Sequence, residues 1–234
     1  KYKTPIVPTK PLKFGTAVIW ICFGMGLCVI ANAGTSFLVT FFKNLGITLT
    51  QGDVAKPNSI FECILDIIGI AIVPAICEEF AMRCCALGLL KNYGKAFGVV
   101  SVSVVFGLLH GNVIQFIFAF LVGLVLAYIT IKTESIIPAM CIHALNNGMS
   151  AVSDTVNYAA GKEVNITVGF FAFWLLVGII ATIYLAIKRK LTIPKDDGNC
   201  VLTLGEKVSS FFFPGMILPF IVLIIMTAQT VKIG

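Results

Sequence analysis

Several stretches of this chain run for about 18 residues or more with few charges, the length a helix needs to cross a hydrocarbon core of roughly 30 Å. A segment in lipid must satisfy its own backbone hydrogen bonds, which leaves the helix as the natural form for such runs. Composition agrees: mean hydropathy is +0.99 and charged residues make up only 12%, against roughly 25% in an average soluble domain. The fold class read from the sequence is all-α, a polytopic transmembrane helical bundle of about seven spans. These fall roughly at residues 14–42, 59–91, 95–110, 113–132, 135–152, 165–189 and 209–231, between polar or glycine-bearing breaks. No linker, low-complexity tract or repeat divides residues 1–234, so a single integral-membrane domain is expected. The first apolar run is too long for a signal sequence and reads as a retained span. Gly111-Asn112 is expected to be a bend within the membrane.

Orientation follows from the basic residues. With the N-terminus cytoplasmic, the inner side collects twelve of them: Lys1, Lys3, Lys10, Lys13, Lys91, Lys95, Lys132, Lys188, Arg189, Lys190, Lys195 and Lys207. The outer side keeps four, namely Lys43, Lys56, Lys162 and Lys232. The net charge of +6 is then a topology signal reinforced by anionic lipid, and it requires no nucleic-acid partner. Of the eight cysteines, seven lie in apolar helices and only Cys200 in a loop. They read as small buried hydrophobes, and without a C-x-x-C spacing a structural zinc site has little support.

Against this background, ionisable groups inside the spans are costly and point to function. Glu78, Glu79 and Arg83 lie in the second span, His110 ends the third, and His143 and Asn147 share the fifth. At about 1.5 Å per residue, Glu78 and His110 both stand roughly 20 Å above one membrane rim, and His143 and Asn147 about 12–18 Å above it. Three spans thus bring polar groups to one slab. Glu79 and Arg83 are four apart and can form an ion pair, while Glu78 is turned about 100° from it and left to face another partner. His143 and Asn147 are also four apart, so both side chains can address one reacting oxygen. The set offers a base in Glu78, a partner for water in His110 and oxyanion donors in His143 and Asn147. Cys77 adjoins it as a minor candidate nucleophile. Pro74, one turn before Glu78, removes a backbone donor and should kink the helix. The competing reading makes Glu78, Glu79 and Arg83 one structural salt-bridge cluster.

Three strings carry a resemblance: Glu78-Glu79-Phe80-Ala81-Met82-Arg83, Phe106-Gly107-Leu108-Leu109-His110 and His143-Ala144-Leu145-Asn146-Asn147. In this order, each in a membrane helix, they resemble the CPBP intramembrane proteases, which include the type II CAAX prenyl endopeptidases and relatives in bacteriocin processing and immunity. The resemblance covers about residues 60–150, the expected catalytic core. It implies that Glu78 and His110 activate a water, that His143 and Asn147 stabilise the oxyanion, and that Glu79 with Arg83 holds the first glutamate. It leaves metalloprotease and glutamate-type chemistry both open. The chain lacks His-Glu-x-x-His, yet Glu78, His110 and His143 could ligate Zn2+; no other cofactor is expected. The implied partners are a peptide or membrane-protein substrate and the bilayer. A bacterial plasma membrane is the expected location, from compactness and the lack of an organellar address. Two rivals remain. One is a proton-coupled transporter with Glu62 and Asp66 on its path. The other is a catalytically idle immunity or scaffold protein.

Overall fold

The computed structural model describes residues 7–52, 55–194, 203–209 and 214–233. Helix α1 spans Phe14–Asn44, and α2 is one continuous helical rod over Ile60–Tyr93. Helices α3 (Lys95–Leu108), α4 (Val113–Thr133), α5 (Ile137–Ala160) and α6 (Thr167–Ile187) follow. A short α7 (Leu204–Ser209) and α8 (Pro214–Ala228) complete the helices. Strand β1 (Ile47–Leu49) pairs antiparallel with β2 (Val231–Ile233), Thr48 opposite Lys232.

Four helices, α1, α2, α4 and α6, are long and apolar enough to cross a membrane, and the chain is an integral membrane protein. The other three expected spans fall short for separate reasons. α3 has 14 residues and α8 has 15. α5 has 24, but Asn146, Asn147, Ser150, Asp154 and Asn157 follow His143 along it at helical spacing. That polar stripe also explains why α5 runs to Ala160, beyond its expected end.

The core is built around α1. Trp20, Phe23, Met25 and Cys28 pack with Leu126 and Ile129 of α4, Ile142 of α5, and Ala181 and Leu185 of α6. A second cluster joins Leu87 of α2, Val102 of α3 and Ala127 of α4. Between lipid-embedded helices the gain comes from close backbone approach, so small residues mark the contacts. Gly26 of α1 meets Gly178 of α6 this way, and a Cβ built on Gly178 would lie 2.5 Å from the Gly26 Cα. The chain bends at the expected place, where Gly111 has φ of 68°, which suits glycine. The Asn112 side chain then caps α4 by accepting from the Gln115 N–H at 2.8 Å. Cys77 and Cys85 are exposed, so burial describes only part of the cysteine set, and the described cysteines are free thiols. Cys200 and the basic residues Lys1, Lys3 and Lys195 lie outside the described residues.

The glycine contact is open to a signed test. Gly178→Ala is expected to destabilise by about 1–3 kcal/mol through overpacking, despite alanine's better helix propensity. Gly169→Ala on the same helix, where a Cβ meets nothing within 4 Å, is expected to be neutral or stabilising. Melting of both variants in detergent decides, and equal behaviour contradicts the close crossing.

Candidate active site

α2 is not a uniform helix. It passes from α-helix (Ile60–Asp66) into a π segment (Ile67–Ile72), returns to α over Val73–Glu79, then enters a second π segment (Phe80–Ala86). Glu78 and Glu79 therefore end an α-helical turn flanked by π turns, an irregularity common at functional sites. Adjacent residues on that turn diverge by about 100°, and the two carboxylates meet opposite fates. Glu79 has a side chain with no solvent exposure, whereas that of Glu78 is 42% exposed.

Glu79 is held from two sides. Arg83 Nε donates to its Oε2 at 2.8 Å, with Nη2 at 3.5 Å from Oε1. From α5, His143 Nδ1 lies 2.9 Å from Oε1. A carboxylate can only accept here, so Nδ1 carries the proton and donates. The remaining ring nitrogen, Nε2, faces Glu78 at 3.9 Å from Oε2. Glu79 thus orients the imidazole, and the imidazole links the buried ion pair to the exposed carboxylate. Arg83 Nη1 is buried with no hydrogen-bond partner among the described residues.

Phe106 organises this assembly from α3, a role that motif reading alone did not assign. Its ring stands edge-on to His110, with centroids 5.1 Å apart, and to His143 at 5.9 Å. The Arg83 guanidinium carbon lies 5.3 Å from the same ring centroid, within cation–π range. The Phe106 carbonyl accepts from His110 Nδ1 at 2.8 Å. Both histidines therefore have Nδ1 committed and Nε2 free for chemistry. The only sequence signal was the Phe106 and His110 spacing of one helical turn.

Glu78 and His110 line one cavity of about 300 Å³ with Cys77, Ala81, Met82, Phe106 and Leu109. Two proton-accepting groups in an apolar wall can hold and polarise a water. Asn147 is placed differently from the expectation that it joins His143 at one oxygen. Its Nδ2 donates to the Ile70 backbone carbonyl at 3.2 Å, and its Oδ1 accepts from Asn146 Nδ2 at 3.3 Å. Among the described residues, no three His, Cys, Asp or Glu side chains form a group placed to hold a metal ion, so Glu78, His110 and His143 do not meet as a zinc set in this structure.

Glu62, the best support for an ion path, is a helix cap. Its N–H donates to Ser59 Oγ at 3.2 Å and its Oε2 accepts from the Asn58 N–H, a capping-box variant. Exposed at the helix start, it serves the backbone.

The buried pair predicts a stability pattern. Arg83→Ala leaves Glu79 a stranded charge and is expected to cost about 3–5 kcal/mol. Adding Glu79→Gln to that variant removes the charge and should recover part of the loss. Melting of the three proteins in detergent checks this. A double variant no more stable than Arg83→Ala contradicts the pairing.

With this geometry in place, comparison with known proteins is informative over one segment. No curated protein and no solved structure matches the chain. Residues 60–149 match the family model described as type II CAAX prenyl endopeptidase Rce1-like. That segment contains Glu78, Glu79, Arg83, Phe106, His110, His143 and Asn147, and it is the peptidase family of the Rce1-like CAAX endopeptidases that this segment, and with it the whole site, matches.

Proposed function

We propose that this chain is an intramembrane endopeptidase in which Glu78 activates water without a metal ion. The observation that carries the reading is the division of labour between the adjacent glutamates. Glu79 is neutralised behind the wall by Arg83 and His143, while Glu78 shares the open cavity with His110.

In the proposed reaction, water sits between Glu78 and His110 Nε2. Glu78 takes a proton as the water oxygen attacks the peptide carbonyl carbon. The resulting oxyanion is stabilised by His143 when its Nε2, which faces Glu78 at 3.9 Å, also carries a proton to donate. The C–N bond then breaks, and Glu78 returns its proton to the leaving amine. Water is consumed and a carboxylate and an amine are formed. The lining of Cys77, Ala81, Met82, Phe106 and Leu109 favours a substrate with an apolar side chain beside the scissile bond. A CAAX-type or other membrane-delivered peptide is consistent with that lining, and the excess of basic residues supports a cytoplasmic N-terminus.

Purified protein assayed against a fluorogenic library of membrane peptides tests the reading. Glu78→Gln keeps the side-chain shape and loses the base, so cleavage is expected to fall about 10²–10⁴-fold with melting unchanged. Wild-type cleavage should persist with a strong zinc chelator present. Undiminished cleavage by Glu78→Gln overturns the proposal, and chelator-abolished cleavage overturns its metal-free chemistry.

A further inference from the structure

His110 lies past the regular end of its helix. α3 stops at Leu108, and the His110 N–H reaches back only three residues, to the Gly107 carbonyl at 3.2 Å. Its backbone therefore belongs to the bend that leads into α4. Within the bend, Asn112 Nδ2 donates to the His110 carbonyl at 3.3 Å and to Gln115 Oε1 at 2.6 Å. From the far end of the chain, Thr230 Oγ1 accepts from the Val113 N–H at 3.1 Å, one of the four donors that a helix start leaves without an internal partner. The Thr230 hydroxyl proton is given to the Thr227 carbonyl at 2.6 Å, so toward Val113 the oxygen serves as acceptor. The Thr230 carbonyl accepts from both the N–H and the hydroxyl of Thr50, at 2.9 and 3.0 Å. The β1–β2 pairing continues from there, with Leu49 opposite Val231. Met226 of α8 covers the same bend, its Cε lying 3.8 Å from where a Cβ on Gly111 would stand.

We propose that Thr230 is a positioning residue for the reaction: its hydroxyl, anchored through β1 and β2, holds the first turn of α4 and with it the bend that sets His110 beside Glu78. Thr50 and Thr230 both lie outside residues 60–149, the segment that matches the family model, so this fastening is supplied by parts of the chain beyond the matched site. His110 shares the cavity with Glu78, and small displacements of a reacting group have large kinetic effects. Without the Thr230 hydroxyl the Val113 N–H loses its acceptor, and the bend keeps only the Asn112 side chain to hold its shape. This inference rests on the reading of His110 as a partner for the attacking water.

The test compares Thr230→Val, which keeps the branched shape and removes the hydroxyl, with Thr230→Ser, which keeps the hydroxyl. Thr230→Val is expected to lower kcat about 10-fold with little change in KM, and Thr230→Ser should recover most of that loss. In resting Thr230→Val, peptides covering residues 107–116 should exchange hydrogen faster, and the ring-nitrogen NMR signals of His110 should move while those of His143 stay. A wild-type kcat in Thr230→Val, unchanged exchange over residues 107–116, or a Thr230→Ser variant as impaired as Thr230→Val overturns the proposal. If Thr230→Val fails to fold, Thr50→Val decides by exchange, since it removes one of the two donors to the Thr230 carbonyl. Faster exchange across the bend is then expected, and unchanged exchange overturns the proposal. If wild type shows no proteolysis, the peptidase reading fails, and exchange and the His110 signals still judge the Thr230 link.

Discussion

The site depends on keeping one carboxylate ionised where water cannot reach it. Glu79 has no solvent exposure, and a lone charge there would be prohibitive in a low-dielectric interior. Arg83 one turn on supplies the countercharge, His143 supplies a third donor, and the Phe106 ring covers the guanidinium. Each partner comes with a constraint. Arg83 fixes the phase of α2, His143 ties α5 to it, and Phe106 draws in α3. Three helices are thereby locked around a group with no solvent exposure. Glu78, its neighbour, is left free to face the cavity.

Packing elsewhere is of a different kind. α1, α4 and α6 meet through apolar side chains and the Gly26–Gly178 approach. α2 packs little of its surface, and much of its outer face is large and apolar, including Phe61, Ile68, Ile76 and Phe80. The helix bearing the glutamates thus turns a broad apolar face outward, while its inner side joins the bundle through Ala71, Ala75, Cys84 and Leu87 as well as through the Glu79–His143 contact.

Much of this was legible in the sequence where lipid dictates form. α1 and α6 begin and end within a few residues of their apolar runs, because a lipid-embedded backbone has little choice but the helix. The Glu79–Arg83 pair was legible because it is local, one turn of one helix. The bond from His143 to Glu79 was not, since it joins residues 64 apart in the chain. Spacing placed His143 and Asn147 on one face, but it could not show that one reaches Glu79 and the other the Ile70 carbonyl. The π segments of α2 left only Pro74 as a trace. The β1–β2 pair, three residues a side, is too short for a periodic signal. The end of α5 was missed for a physical reason: an apolar criterion stops where polar residues enter a helix, and Ser150, Asp154 and Asn157 continue the helix beyond that point.

The central claim is that both histidines are left with a free Nε2 because Nδ1 is held, by Glu79 in one ring and by the Phe106 carbonyl in the other. The chain has only two histidines, so 15N-histidine labelling yields four ring-nitrogen signals that single His→Gln variants assign. Nitrogen NMR of the resting protein should show a proton on Nδ1 of both His110 and His143. A bare Nδ1 in either ring, with its proton on Nε2, would contradict the hydrogen-bonded frame from which the proposed chemistry is built.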